Sequence, residues 1–396
     1  MATPPIFHER GNFSLVLGGP LFQLFRRAHL SGDAMELSHR RVLIITVVAW
    51  VPLLLLSLVT GSAFGDAVAI PFFYDVEAHA RFLIALPILI AAELIVHRRL
   101  RPSVQQFVER RIVLPEQLPK FHQAIESTMR LRNSVLTEVA LLALVYGVGI
   151  WVWRTQLALD EPSWYASVDG THTRLTPAGY WLMFVSAPIF QFILLRWYFR
   201  FALWFWFLFR VSRLNLRLIP IHTDKTGGLG FLGASTNAFA PVLIAQGAVL
   251  AGLIASRIFY EGRNLADFKV QIVGFLGFII MATLIPLTVF APRLAQAKRD
   301  GLGDMGRLAS RYCRRFEEKW FRGDVSADEA LLGSGDIQSL ADLGGSFGVV
   351  QEMRLVPFGW RDVTRLAIVT ATPFLPLLLT IFSLEDFATY VIKAIF

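Results

Sequence analysis

The sequence predicts an all-α fold, a polytopic transmembrane helical bundle of about seven spans with a helical layer on its cytoplasmic side. Apolar residues make up 55% of the chain and charged residues only 17%, a composition typical of proteins whose solvent is lipid. The apolar residues fall into runs close to the roughly 20 residues that a helix needs to cross a hydrocarbon core of about 30 Å. Basic residues are dense in alternate connections between these runs, as the positive-inside rule predicts.

Seven runs are predicted to span the bilayer. In chain order they cover residues 42–60, 82–96, 135–153, 178–199, 237–256, 272–291 and 363–382. The second is the shortest, and the fourth continues as an apolar and aromatic pattern toward Arg217. A single helix of that length exceeds the hydrocarbon thickness, so we expect it to leave the bilayer or to bend along its surface.

The spans divide the chain into four regions. Residues 1–41 are predicted to be a cytoplasmic segment with an interfacial helix over 13–25, and 42–292 a bundle of six spans with cytoplasmic loops at 98–133 and 210–236. Residues 293–361 are predicted to form a cytoplasmic helical region, with Asp336 as a helix N-cap and breaks at the glycines near 323, 333–335 and 344–345. Residues 362–396 hold the last span and an amphipathic tail.

Orientation follows from the basic residues. With the N-terminus in the cytoplasm, 31 of the 38 lysines and arginines lie on the cytoplasmic side. The net charge of +8 is therefore explained by topology, and no nucleic-acid partner is expected. Anionic phospholipids of the inner leaflet are the predicted partner of this positive surface. A homo-oligomer is left open.

Ionisable residues within the predicted spans are the first candidates for function, because each costs a few kcal/mol at the bilayer centre. They are Glu93, Glu138, Arg196 and Arg200, all placed toward the cytoplasmic ends of their spans. One interpretation is the charged lining of a path for protons, ions or solutes. The other is a set of buried ion pairs that hold the helices together.

A second candidate site lies between the fourth and fifth spans. Glycines at Gly227, Gly228 and Gly230, together with Lys225, predict a loop that binds an anion or a lipid headgroup near Arg213 and Arg217. The spacing matches neither the Walker A motif nor the dinucleotide motif, and an ordinary turn is the alternative. The aromatic face of the preceding segment is interpreted as an interfacial anchor or as a surface for a ligand such as a quinone.

Chemistry of other kinds has little support in the sequence. The only cysteine is Cys313, the eight histidines show no metal-ligand spacing, and no motif pairs a nucleophile with a base. We therefore predict no catalytic residue, no metal and no cofactor, and an enzyme is not the favoured class.

Three short segments resemble a known pattern. GGLGF at 227–231, DIQSLADL at 336–343 and MRLVPF at 353–358 are similar to segments of uncharacterised bacterial polytopic inner-membrane proteins of similar length. The resemblance implies a bacterial inner-membrane setting and transfers no activity and no functional residue.

Three functions are compatible with these observations. The leading hypothesis is a channel or transporter whose path passes Glu93, Glu138, Arg196 and Arg200. The second is a membrane-anchored scaffold or sensor that acts through residues 293–361. The third is an enzyme that uses the glycine loop and nearby arginines on a lipid or lipid-linked substrate at the inner interface.

Overall fold

The computed structural model describes residues 13–16, 18–19, 38–66, 68–149, 163–169, 172–323 and 334–380. Within them the fold is an all-α bundle, which confirms the predicted class. The amphipathic tail and most of the first 37 residues lie outside the described part of the chain.

The described residues form the following helices and one strand pair. They are α1 (Ser38–Val59), α2 (Val76–Glu109), α3 (Leu118–Arg132), α4 (Val135–Leu144, extended by a π-helical turn to Gly149), α5 (Pro177–Ser212), α6 (Phe231–Glu261), α7 (Leu265–Trp320), α8 (Gly335–Gln351) and α9 (Trp360–Thr380). Strands β1 (Ala166–Asp169) and β2 (His172–Leu175) pair antiparallel between α4 and α5.

Six of these helices, α1, α2, α5, α6, α7 and α9, are long and apolar enough to cross a membrane. The helical segments Pro115–Arg132 and Val135–Gly149 are bent by 46° at a short break, and together they are also long and apolar enough to cross, as a broken span or a re-entrant loop. Several helices are longer than their apolar runs, because the backbone hydrogen bonds continue through polar residues once the chain has left the hydrocarbon region. The predicted ends at 153 and 382 lie outside the described residues.

Contacts at the two ends of the bundle show that α2 and α5 run in one direction and α6 in the other. On the side of β1 and β2, which we call the strand side, Tyr260 Oη donates to the carbonyl of Tyr74 at 2.9 Å. On the opposite side, which we call the basic side, the N–H of Arg217 donates to the carbonyl of Ile112 at 2.8 Å. The basic side is the one that the sequence predicts to be cytoplasmic.

Helix α6 lies at the centre of the packing. In its most apolar stretch of 18 residues 67% are buried, whereas the corresponding value for α1 is 17%. Small residues make this possible. A Cβ added to Gly252 would lie 2.5 Å from Cβ of Ala80, and one added to Gly247 would lie 2.9 Å from the carbonyl oxygen of Thr370. Backbones therefore approach closely, as is common between membrane helices.

Helix α7 continues well beyond the bundle on the basic side. Its 56 residues span about 84 Å at 1.5 Å each. Helix α8 packs antiparallel on the last part of it, and Lys319 Nζ lies 2.8 Å from Asp336 Oδ2 at the far end. We call residues 291–320 of α7 together with α8 the helical hairpin.

Two predictions within this region are wrong. The N-cap of α8 is Ser334, whose Oγ accepts from the N–H of Asp336 at 3.2 Å, so Asp336 lies in the first turn. The helix also runs through Gly344 and Gly345 to Gln351 without a break. A glycine in a helix costs only about 1 kcal/mol relative to alanine, which neighbouring turns can offset.

The described residues between 13 and 19 form no helix, and we call them the N-terminal segment. Gly18 and Gly19 have φ angles of 131° and 92°, which a helix does not allow. Phe13 is buried, with its ring centroid 4.7 Å from that of Phe207 and 6.0 Å from that of Trp204. This part of the α5 aromatic face therefore belongs to the core and not to the lipid interface; the rest of the predicted interfacial helix lies outside the described residues.

Candidate functional site

Charged side chains from four helices meet inside the bundle. Glu93 comes from α2, Glu138 from α4, and Arg196 and Arg200 from successive turns of α5. Arg41 of α1 joins them through an ion pair with Glu93. We call these five residues the charged cluster, and all of them have side chains no more than 13% exposed.

The first half of the charged cluster is tightly bonded. Arg200 Nη2 donates to Glu93 Oε1 at 2.6 Å, and Arg41 Nη2 donates to Glu93 Oε2. Arg200 also lies 4.6 Å from the ring centroid of Trp197, whose Nε1 donates to the carbonyl of Leu89 at 2.9 Å. Each oxygen of Glu93 thus has its own guanidinium, the arrangement expected of a structural ion pair.

Arg196 is held differently. Its Nη1 lies 3.7 Å from Glu93 Oε1, and its Nη2 lies 3.7 Å from Glu138 Oε1. Both distances exceed the usual hydrogen-bond range. The residue is only 9% exposed, and among the described residues its guanidinium donates no hydrogen bond. A guanidinium has five N–H donors, so Arg196 retains the capacity to bind a further acceptor.

The N-terminal segment covers the charged cluster from the basic side. Arg132 donates to the carbonyl of Ser14, and His97 Nδ1 lies 2.9 Å from Ser14 Oγ. Gly19 lies against the cluster, because a Cβ there would be 3.1 Å from Glu138 Oε1. Position 19 therefore suits glycine because a Cβ would crowd Glu138 and because its φ is positive, at 92°.

The sequence predicted four members of the charged cluster and missed Arg41. Arg40 and Arg41 resemble the ordinary basic flank of a first span, and only the structure shows that Arg41 is buried while Arg40 is exposed. Including Arg132, the described residues here supply four arginines and two glutamates. Among these described residues, positive formal charge therefore exceeds negative charge.

The glycine loop contains an anion of its own. The N–H groups of Thr226, Gly228 and Gly230 donate to the carboxylate of Asp224 at 2.8, 3.2 and 2.9 Å. Burial raises the pKa of Asp224, but these N–H groups outweigh it, so the pKa lies below its ordinary value. A phosphate would have to displace this carboxylate to use the same donors.

The other predicted members of the glycine-loop site do not converge. Lys225, with a φ of 56°, forms an ion pair with Glu352 at the end of α8. Arg213 lies over the ring of Phe209, 4.8 Å from its centroid, and is exposed, as is Arg217. The loop is joined instead to the chain after α8, since the N–H of Arg354 donates to the carbonyl of Lys225 at 2.7 Å.

Other possible sites are limited in the described part of the chain. No group of three or more histidines, cysteines, aspartates or glutamates there is placed to hold a metal ion. Three cavities formed by described residues have volumes of about 240, 420 and 300 Å³. The first lies between α2, α5, α6 and α7, and the other two lie beside Arg293 of α7.

The assignment of function depends on this geometry. Comparisons with protein-family models, with curated proteins and with solved structures find no match to this chain.

Proposed function

We propose that this chain is a membrane transport protein, a channel or transporter for an ion or small solute, whose path passes Glu93, Glu138, Arg196 and Arg200. The observation that carries the proposal is the position of Arg196. It is buried midway between two carboxylates, 3.7 Å from each, and hydrogen-bonded to neither. Ionisable groups are costly inside a membrane and commonly mark solute or ion paths.

The substrate class that fits this position best is a small anion. An anion can accept hydrogen bonds from Arg196 while Glu93 stays neutralised by Arg41 and Arg200. The excess of arginine over glutamate around the site favours negative charge. Arg196 would then pair alternately with the substrate and with Glu138.

Part of the charged cluster also has a structural role. Removing one partner of a buried ion pair costs about 3–5 kcal/mol, because the other charge is left without compensation. Glu93 with Arg41 and Arg200 has the short bonds of such a pair. Substitutions at Glu93 are therefore expected to reduce folded yield, whereas those at Arg196 test transport.

The proposal is tested by anion flux into liposomes that contain the full chain. The parent is expected to admit chloride, nitrate or phosphate, and Arg196→Gln is expected to lower that flux at least about tenfold, the effect of about 1.4 kcal/mol. Arg307→Gln is the matched control, because this arginine is 74% exposed on α7 and pairs only with Asp304 among the described residues.

Equal amounts of monodisperse protein with similar thermal unfolding must be compared. The proposal is wrong if parent liposomes are as impermeable as empty ones to these anions and to monovalent cations. It is also wrong if Arg196→Gln transports as the parent does.

The proposed setting is the inner membrane of a bacterium, with the N-terminus and the basic side in the cytoplasm. Anionic phospholipids would then contact the basic side. This orientation is supported by the distribution of lysine and arginine along the sequence.

A scaffold is the second candidate, and the helical hairpin favours it. In α8 only Val350 is buried, and between Ala291 and Trp320 only Leu294 and Gly301 are. Phe321, just beyond, is 77% exposed. Such a surface fits a protein partner or a second copy of the chain. The flux experiment separates the two candidates, because a scaffold leaves liposomes impermeable.

The third hypothesis, an enzyme acting on a lipid at the glycine loop, has less support. The loop N–H groups that would bind a headgroup donate to Asp224, and Lys225 pairs with Glu352.

A further inference from the structure

A long cavity runs along the membrane-spanning part of α2, between α2, α5, α6 and α7. Its volume is about 240 Å³, and it extends from Glu77 to Leu89, about 18 Å along the helix at 1.5 Å per residue. Most of its wall is aliphatic or aromatic, including Phe190, Leu250 and Phe275. We call this cavity the groove.

The groove opens toward the surface that faces lipid. Leu250 is half-buried, and Tyr198, at the end of the groove toward the basic side, is 44% exposed. A molecule dissolved in the bilayer can therefore enter from the side. Arg81 lies at the strand-side end, where it pairs with Glu77 and stacks over Phe190, 5.9 Å from the ring centroid.

Gln246 is a polar residue in the otherwise largely apolar wall of the groove. It is only 8% exposed and lines the groove near the middle of α6. Its Oε1 accepts a hydrogen bond from Tyr198 Oη at 2.8 Å. No acceptor among the described residues is bonded to its amide nitrogen. This nitrogen is not fully enclosed by protein atoms, so it is accessible to an acceptor that enters the groove, where water is scarce.

The position of Gln246 restricts the ligand. Ester oxygens of phospholipids lie at headgroup level, whereas Gln246 lies nine residues from one end of the predicted span 237–256 and ten from the other, about 14 and 15 Å along the helix. The acceptor must therefore belong to a polar group that inserts deeply. The aromatic rings of Tyr198, Phe190 and Phe275 suit a flat ring beside it.

We propose that the groove binds a quinone-type molecule, a flat ring with carbonyl oxygens and a long apolar chain. One carbonyl accepts a hydrogen bond from the Gln246 amide, the ring contacts Tyr198, and the chain lies along the apolar wall toward Arg81. This site does not depend on the proposed transport through the charged cluster, and no redox step is assigned to it.

The test uses two photoactivatable probes on the full chain in phosphatidylcholine nanodiscs. One is an azidoquinone with a short prenyl chain, and the other is a phosphatidylglycerol with a diazirine on its acyl chain. Labelled peptides are identified by mass spectrometry. We expect the azidoquinone to label the groove wall around Val249, Leu250 and Leu253, and unlabelled quinone to compete with it.

Variants make the test specific. Gln246→Leu should lower azidoquinone labelling about fivefold, the effect of losing one hydrogen bond. Val249→Trp, which fills the groove, should lower it further. Gln271→Leu is the matched control, because this glutamine is exposed on α7 outside the groove. All variants are compared at equal monodispersity.

Three results would overturn the proposal. The first is azidoquinone labelling that is unchanged in both Gln246→Leu and Val249→Trp. The second is labelling spread evenly over lipid-facing positions such as Val270 and Val273, which are exposed on α7. The third is labelling of the groove by the phosphatidylglycerol probe alone, which would mean that bulk lipid occupies it.

Discussion

Asp224 shows how one residue determines what a glycine-rich loop can bind. Its carboxylate accepts hydrogen bonds from the N–H groups of Thr226, Gly228 and Gly230. Glycine-rich loops often present such donors to phosphates. Here the positive φ angles at Lys225, Gly227 and Gly228 wrap the backbone around a side chain of the same loop.

Asp224→Asn should destabilise the folded chain by about 1–3 kcal/mol, because an amide replaces a charged acceptor of three donors. Since the folded-state pKa of Asp224 is lowered, its stabilisation is fully present above the ordinary aspartate pKa. It is lost as pH falls through the lowered pKa. Thermal unfolding measured across acidic pH should therefore show a smaller loss on acidification in Asp224→Asn than in the parent.

Asp304→Asn is the control for this measurement, since its side chain is 71% exposed. It should leave stability close to that of the parent. Equal acid sensitivity of Asp224→Asn and the parent would contradict the role given to this carboxylate.

Individual residues of the charged cluster were predictable to different degrees. The depth of Glu93, Glu138, Arg196 and Arg200 in their spans predicted that they lie at one level, and the structure brings them together. Their pairing was not predictable, because it depends on the rotation of each helix and on its neighbours. For the same reason Arg41 could not be distinguished from Arg40.

Among the helices, α7 makes one of its closest approaches to the rest of the chain at Gly301. A Cβ added to Gly301 would lie 2.4 Å from Cβ of Pro220 and 3.2 Å from Cγ1 of Val350. One added to Gly303, two residues later, would have only Arg307 Nη1 nearby, at 3.8 Å. Substitution by alanine is therefore expected to change stability in opposite directions at the two glycines.

Gly301→Ala should destabilise the chain by about 1–3 kcal/mol through overpacking, and hydrogen exchange in α8 should become faster. Gly303→Ala should stabilise it by about 0.5–1 kcal/mol, the difference in helix propensity. Both are measured by thermal unfolding and amide exchange. Equal effects of the two substitutions would show that α7 does not pack on Pro220 and Val350 as described.

Helix positions were predicted better than helix lengths. Apolar runs mark where a helix crosses hydrocarbon, so each predicted span with described residues corresponds to a helix. The same runs give no information on how far a helix continues into water, which explains why α7 begins and ends well outside 272–291. The Gly344–Gly345 pair was misleading because helix α8 tolerates both.

For the molecule as a whole, orientation is the prediction on which the others depend. Cys313 is the only cysteine and is exposed on the basic side. Ser167 is exposed on β1 at the strand side, and α5, α6 and α7 lie between the two positions. If all three helices cross the membrane, this odd number of crossings places the two residues in different compartments.

A membrane-impermeant maleimide applied to spheroplasts should therefore fail to label Cys313 until the membrane is opened. A variant with Cys313→Ser and Ser167→Cys should be labelled at once. Labelling of both positions from the same side would mean that one of the three helices does not cross the membrane.

The long helix α7 also connects the apolar bundle to the helical hairpin. From Ala291 to Trp320 it extends about 45 Å beyond the bundle. A change of only about 5° in its angle would move the far end by about 4 Å over that length. Lys319 and Trp320 hold Asp336 at that end, so α8 would follow. A slight reorientation of α7 within the bundle would thereby become a displacement of about 4 Å in the helical hairpin.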